Sequence, residues 1–217
     1  GSPLTEADLR ADTVIRKILQ ASGLPVLSEE VPVSFEQRCN WQRFWLVDPL
    51  DGTKDFIVRN GEFTVNIALI ENGIPIVGVV AAPALNKIWY ASINAGAWLK
   101  QDGSIAPINA LAPWPLEPRM FISRFHDVPA SLEFARLNGV KHFIPAGAAS
   151  KLARIAASGA EFYPRFAGTS EWDIAAGDAI LREAGGRMRT VTGDAPKYNK
   201  PNLRNPFFVA WRPPLCW

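Results

Sequence analysis

Three prolines fall within six residues in Leu111-Ala112-Pro113-Trp114-Pro115-Leu116-Glu117-Pro118. Each ring fixes φ and removes a backbone donor, which suits neither a helix interior nor a central strand. The segment therefore reads as a linker, dividing the 217 residues into an N-terminal α+β unit over 1–110 and a C-terminal α/β unit over 111–217. The patterns on its two sides differ. From Phe63 to Leu99, β-rich runs are interrupted by turn signals at Asn72-Gly73, Asn86-Lys87 and Asn94-Ala95-Gly96, which predicts an antiparallel meander. Beyond the linker, a strand is predicted at Met120 to Ser123. Helices are predicted over 131–138, 150–157 and 170–184, with Gly139, Gly159 and Gly185 closing them. Strands alternating with helices make this half α/β.

Near the start, Thr5-Glu6-Ala7-Asp8 has the form of a capping box. Ala11, Val14, Ile15, Ile18 and Leu19 then share one helical stripe, predicting a helix from about residue 6 to 20 that Gly23 and Pro25 end. Leu24 to Leu27 reads as a short strand leading into Ser28-Glu29-Glu30, and Pro32 to Gln42 as a polar loop. Phe44-Trp45-Leu46-Val47 is an apolar strand that stops at Asp48-Pro49-Leu50-Asp51-Gly52-Thr53.

Hydrophobic residues make up 48% and charged residues 20%, so the chain is globular rather than disordered. Its net charge of +2 provides no strong field for a nucleic acid polymer or an anionic membrane, so any basic site must be local. The uncharged run between Glu71 and Lys87 contains Gly73, Pro75 and Pro83 and is shorter than the roughly 20 residues of a membrane span. A thiolate and imidazole zinc site would need Cys39, Cys216, His126 and His142 all to converge. One possible disulfide in a chain of this size suggests a reduced, cytoplasmic protein. Gly1-Ser2-Pro3 carries neither an initiator Met nor a signal-peptide pattern. Any metal should therefore be held by carboxylates.

The segment 48–53 is the strongest candidate for such a site. Two carboxylates on a proline-stiffened turn after a buried strand can aim at one point, and convergent oxygens suit Mg²⁺. The Leu50 carbonyl could add a ligand, while the Gly52 and Thr53 amides could receive an anion. A plain hydrophilic turn remains open, because Asp-Gly is also a common hairpin signal. Glu29 could join the site from its strand end or sit in a solvated acidic turn. Asp8 and Asp173 each have a competing role as the acid of a capping box, the second being Ser170-Glu171-Trp172-Asp173.

Glu29-Glu30, then Asp48 to Thr53, then Glu171-Trp172-Asp173-Ile174-Ala175-Ala176-Gly177, resemble in order and spacing the three signatures of the inositol monophosphatase superfamily of metal-dependent phosphatases. Within it, Trp45 to Phe56, Arg59 to Ala68 and Tyr163-Pro164-Arg165-Phe166 are similar to the CysQ-type 3′(2′),5′-bisphosphate nucleotidases. The resemblance implies a layered αβαβα sandwich of the sugar phosphatase type and two or three Mg²⁺ ions. Glu29, Asp48 and the Leu50 carbonyl would hold one ion, and Asp48, Asp51 and Asp173 a second. It further implies that Thr53, hydrogen-bonded to Asp8, activates the attacking water. Gly52 and Thr53 would receive the phosphate, with His126, Lys151 and Arg165 near the nucleotide.

The implied reaction is hydrolysis of 3′-phosphoadenosine 5′-phosphate, a step of sulfur metabolism, to AMP and phosphate by a lithium-sensitive monomer or homodimer. An inositol monophosphatase is the alternative enzyme. A noncatalytic nucleotide-binding or regulatory protein of the same fold is the alternative of another class. The sequence also departs from the nucleotidase pattern. Ala148 stands where a Ser is usual, Phe125 replaces another Ser, and the chain begins at the Ser-Pro-x-Thr-x-Ala-Asp segment that a helix and hairpin usually precede.

Overall fold

The computed structural model describes residues 5–124 and 128–213. Helix α1 (Glu6–Leu19) starts at Thr5, whose backbone amide donates to Asp8 Oδ2 at 2.9 Å, so the capping-box reading holds. Seven strands follow in one sheet: β1 (Val26–Ser28), β2 (Arg43–Asp51), β3 (Thr64–Glu71), β4 (Ile74–Ala82), β5 (Lys87–Ser92), β6 (Ala97–Gln101) and β7 (Ser104–Ile108). They lie in sequence order, β1 parallel to β2 and all later neighbours antiparallel. The meander is thus present and runs past Leu99. Its β3–β4 turn places Asn72 and Gly73 at φ 50° and 75°, the left-handed pair that a two-residue hairpin needs.

Two local expectations are corrected. The stretch from Pro32 to Gln42 contains α2 (Phe35–Arg38), where the Ser34 amide donates to Gln37 Oε1 at 3.3 Å. Arg38 is buried there, donating to Asn199 Oδ1 at 2.8 Å and to the Pro201 carbonyl. Strand β2 does not stop at Val47 but continues through Pro49 to Asp51. Its pairing with β3 breaks register between Asp48 and Asp51, because Pro49 has no amide to donate to the ladder. The short helix α3 (Thr53–Ile57) follows at once.

The second sheet holds β8 (Arg119–Ser123), β9 (His142–Ala146), β10 (Phe162–Arg165), β11 (Arg187–Thr190) and β12 (Phe208–Trp211), in the order β11-β12-β10-β8-β9. It mixes parallel and antiparallel pairs. Helices α4 (Val128–Leu137), α5 (Ser150–Ala156) and α6 (Glu171–Glu183) belong to this half. Helix α6 nevertheless packs on strands of the first sheet. A Cβ on Gly78 of β4 would lie 2.3 Å from the Ala176 carbonyl, and one on Gly177 would lie 2.6 Å from Leu152 Cβ in α5. Those two glycines seat α6 between sheet and helix at backbone contact.

The layers run α1, first sheet, α5 with α6, second sheet, α4, which is the αβαβα sandwich. One apolar core, including Phe44, Ile70, Val80, Leu152, Ile180 and Phe208, spans both halves of the chain. Among the described residues no helix is long and apolar enough to cross a membrane.

Candidate active site

A cleft of about 590 Å³ opens between the two sheets, and Glu29, Leu50, Asp51, Gly52, Thr53, Lys151, Arg165 and Asp173 all line it. Asp48 sits behind them, 1% exposed. Three separate elements bring the acids together. The Glu29 amide donates to the Val47 carbonyl at 3.1 Å, carrying the β1–β2 ladder one residue beyond β1. Asp48 faces Asn66 across the β2–β3 ladder. Asp173 occupies the third position of α6, where its Oδ2 accepts the Ser170 amide at 2.8 Å. Cap and site are therefore compatible, since a carboxylate has a second oxygen to offer.

One carboxylate oxygen from each of Glu29, Asp48 and Asp173 lies within 4.8 Å of the other two. Asp48 Oδ1 accepts the Leu50 amide at 3.0 Å, whereas its Oδ2 is buried without a hydrogen-bond partner. Burial, and then the charge of Asp51, pushes Asp173 up to about 8 and Glu29 up to about 7. The same two causes hold Asp48 well above the usual carboxylate range. Crowded, dehydrated carboxylates are costly unless an opposite charge joins them. The orphaned Asp48 oxygen and the all-oxygen donor set fit a hard divalent cation.

Opposing cations temper the far side. Asp51 is raised by burial but lowered by Lys151 and by the Ala149 amide. Lys151, the second residue of α5, is 3% exposed; its Nζ donates to the Ala148 carbonyl at 2.6 Å and more weakly to that of Ala146. Burial pulls this ammonium down to about 8. Arg165 ends β10, with its Nε buried and unpartnered. Ala148 lies in the cleft wall at φ 47°, and its Cβ is 3.1 Å from where a Cβ on Gly52 would stand.

The expected Thr53–Asp8 hydrogen bond is not what the structure contains. The Thr53 hydroxyl points to the Leu50 carbonyl at 3.5 Å, and Asp8 Oδ2 accepts from the amide and hydroxyl of Thr5. The cap claims Asp8 first because its partners are three residues away on the same chain segment. His126, Phe125 and Cys216 lie outside the described residues. Two contributors escaped sequence reading. Arg204 lines the cleft from the loop before β12, with no local pattern to mark it. Asp55, 3% exposed, fills the space beside Gly147, where a Cβ would be 2.5 Å from its Oδ2. Its signal was the Lys54-Asp55-Phe56 continuation of the acidic motif.

Comparison with known proteins agrees with this geometry. Residues 1–212 match the inositol monophosphatase family. The chain is 44% identical over 210 residues to the 3′(2′),5′-bisphosphate nucleotidase CysQ of Salmonella typhimurium, covering 95% of this chain and 84% of that one. The Escherichia coli K12 protein of the same name is 43% identical over 211 residues, covering 96% and 85%. Among solved structures, CysQ from Bacteroides thetaiotaomicron superposes with a TM-score of 0.89 at 38% identity, covering 98% and 85%. An IMPase from Thermotoga maritima gives 0.78 at 26%, covering 96% and 78%. This chain belongs to the inositol monophosphatase family.

Proposed function

We propose that this chain is a Mg²⁺-dependent phosphatase that hydrolyses 3′-phosphoadenosine 5′-phosphate to AMP and phosphate. The observation that carries the reading is the convergence of Glu29, Asp48 and Asp173 within 4.8 Å at a cleft that Lys151 and Arg165 also line. An acid cluster for metal beside cations for a second anion suits a bisphosphate better than a monophosphate. The identity to nucleotidase relatives supports it over nearly the whole chain.

Glu29, Asp48 and the Leu50 carbonyl would hold one Mg²⁺, and Asp48, Asp51 and Asp173 a second. Bound there, such ions supply neutralising charge at the attacking and leaving oxygens of an in-line displacement. The Gly52 and Thr53 amides orient the oxygens of the reacting phosphate. On this reading the Thr53 hydroxyl, which in the fold points to the Leu50 carbonyl, would swing to hold the attacking water and pass its proton toward Asp8. Water oxygen bonds to phosphorus as the bond to the 3′-oxygen breaks, and that oxygen takes up a proton from solvent water in the open cleft to leave as AMP. Arg165 and Lys151, with His126, hold the nucleotide.

Phosphate release from 3′-phosphoadenosine 5′-phosphate, inositol monophosphate and fructose bisphosphate, each with Mg²⁺ or excess EDTA, tests the assignment. The bisphosphorylated nucleotide should show the highest kcat/KM, and EDTA should abolish turnover of all three. Preference for inositol monophosphate, or full activity in EDTA, would overturn it.

A further inference from the structure

Arg204 is held at the rim of the cleft by a framework that leaves most of its guanidinium facing solvent. Its backbone forms a bridge with Ser170. On either side, the Glu171 amide donates to the Leu203 carbonyl at 2.9 Å and the Asn205 amide to the Thr169 carbonyl at 2.8 Å. The loop is thereby fastened to the first turn of α6, the turn that carries Asp173. Among the described residues the guanidinium makes one hydrogen bond, from Nη1 to the neutral Ser170 Oγ at 3.3 Å. Gly168 lies under it: a Cβ there would come within 3.7 Å of Nη2 and 3.8 Å of Cζ.

Arg124, another cation of the cleft wall, is already paired with Glu62 through Nε at 2.8 Å and Nη2 at 3.1 Å. Arg204 is exposed and keeps most of its five donors for a ligand.

A solvent-facing guanidinium carried on a fastened backbone at the cleft is suited to two-pronged binding of a phosphate. We infer that Arg204 is a specificity-determining residue that grips the substrate's non-reacting phosphate from the Gly168–Ser170 side of the cleft. This rests on the nucleotidase reading and adds to it a residue, beside Lys151 and Arg165, that separates a bisphosphate from a monophosphate.

The experiment compares kcat and KM for 3′-phosphoadenosine 5′-phosphate and for 3′-AMP, which lacks the second phosphate, in wild type, Arg204→Gln and Arg204→Lys with Mg²⁺ present. Arg204→Gln should raise KM for the bisphosphate roughly 10- to 100-fold, the range of a lost charge-assisted contact, with kcat changed about twofold or less. KM for 3′-AMP should shift about threefold or less. Arg204→Lys should recover part of the loss, because an ammonium keeps the charge without the fork. Melting temperatures of the three proteins report that folding is intact. Equal losses on both substrates, or none on either, would overturn the assignment of Arg204. A wild type with no preference for the bisphosphate would overturn the nucleotidase reading and this inference together. A wild-type preference that survives intact in Arg204→Gln would remove Arg204 alone.

Discussion

Replacing Asp173 by Asn should make the metal-free protein more stable while weakening its response to Mg²⁺. Asn keeps the oxygen that accepts the Ser170 amide, so the α6 cap survives. What disappears is a half-buried charge crowded by other carboxylates. Asp173 is raised from 3.8 to about 8 by burial and the charge of Asp51. A carboxylate raised on folding favours the folded state while protonated, so its contribution is full at low pH and is lost as pH climbs through about 8. At ~1.36 kcal/mol per unit the whole rise is worth ~5–6 kcal/mol. Glu29, Asp48 and Asp51 share the repulsion and ionise further once Asp173 is neutral. We therefore expect a gain of about 2–3 kcal/mol at pH 8.5. For a chain of this length that is about 5–10 °C in Tm. At pH 5 the gap should shrink to about 1 kcal/mol, because Asp173 is then already protonated in the folded protein. Thermal melts in EDTA and in Mg²⁺ at both pH values measure it. Wild type should gain more from Mg²⁺ than the variant at pH 8.5, since an ion bound only by the folded state raises its stability. A metal-free variant no more stable than wild type at pH 8.5, or a gap indifferent to pH, would refute the reasoning.

Asp51→Asn should reduce turnover by at least about 100-fold with little change in circular dichroism, because it removes a charged ligand, and lithium should inhibit the wild type, as the family resemblance leads us to expect. A flat lithium titration would count against the assignment. Thr53→Ala and the double variant Thr53→Ala/Asp8→Asn should lose similar amounts of rate if the two residues act as a unit. If Asp8 only caps α1, Asp8→Asn alone lowers stability by about 1 kcal/mol or less and spares the rate. Ala148→Ser should tighten a bisphosphorylated nucleotide by about 0.5–1.5 kcal/mol, the worth of one hydrogen bond, with no comparable gain for inositol monophosphate; paired KM measurements decide it. Gly78→Ala should destabilise by about 2 kcal/mol or more, because its Cβ would meet the Ala176 carbonyl at 2.3 Å, and a chemical denaturation curve reads the loss.

Features set by neighbours along the chain were legible from sequence. The Thr5–Asp8 and Ser170–Asp173 boxes, the Asn72-Gly73 turn and the strand into Asp48 depend on contacts a few residues long, and each is present. Features set by distant partners were not. That β2 crosses Pro49 depends on β3 supplying the other side of the ladder. Helix α2 gains a buried Arg38 whose acceptors lie about 160 residues away, at Asn199 and Pro201. Arg204 reaches the cleft only because the loop before β12 is fastened to the start of α6, and no spacing or periodicity encodes that.

The acids show how a local reading and a functional one can both be right. Spacing alone left Asp173 divided between cap and ligand, as though one excluded the other. In the fold its Oδ2 serves the cap while one carboxylate oxygen of the same residue stands within 4.8 Å of those offered by Glu29 and Asp48. Burial changes the meaning of the motif: the same side chain on an exposed helix would merely complement the helix dipole. Here α6 is pressed to backbone contact with β4 at Gly78, which carries the first turn of α6 down to the end of β2. The glycine that admits the helix is thus as much a part of the site as the carboxylates, because it sets how closely Asp173 can approach Glu29 and Asp48.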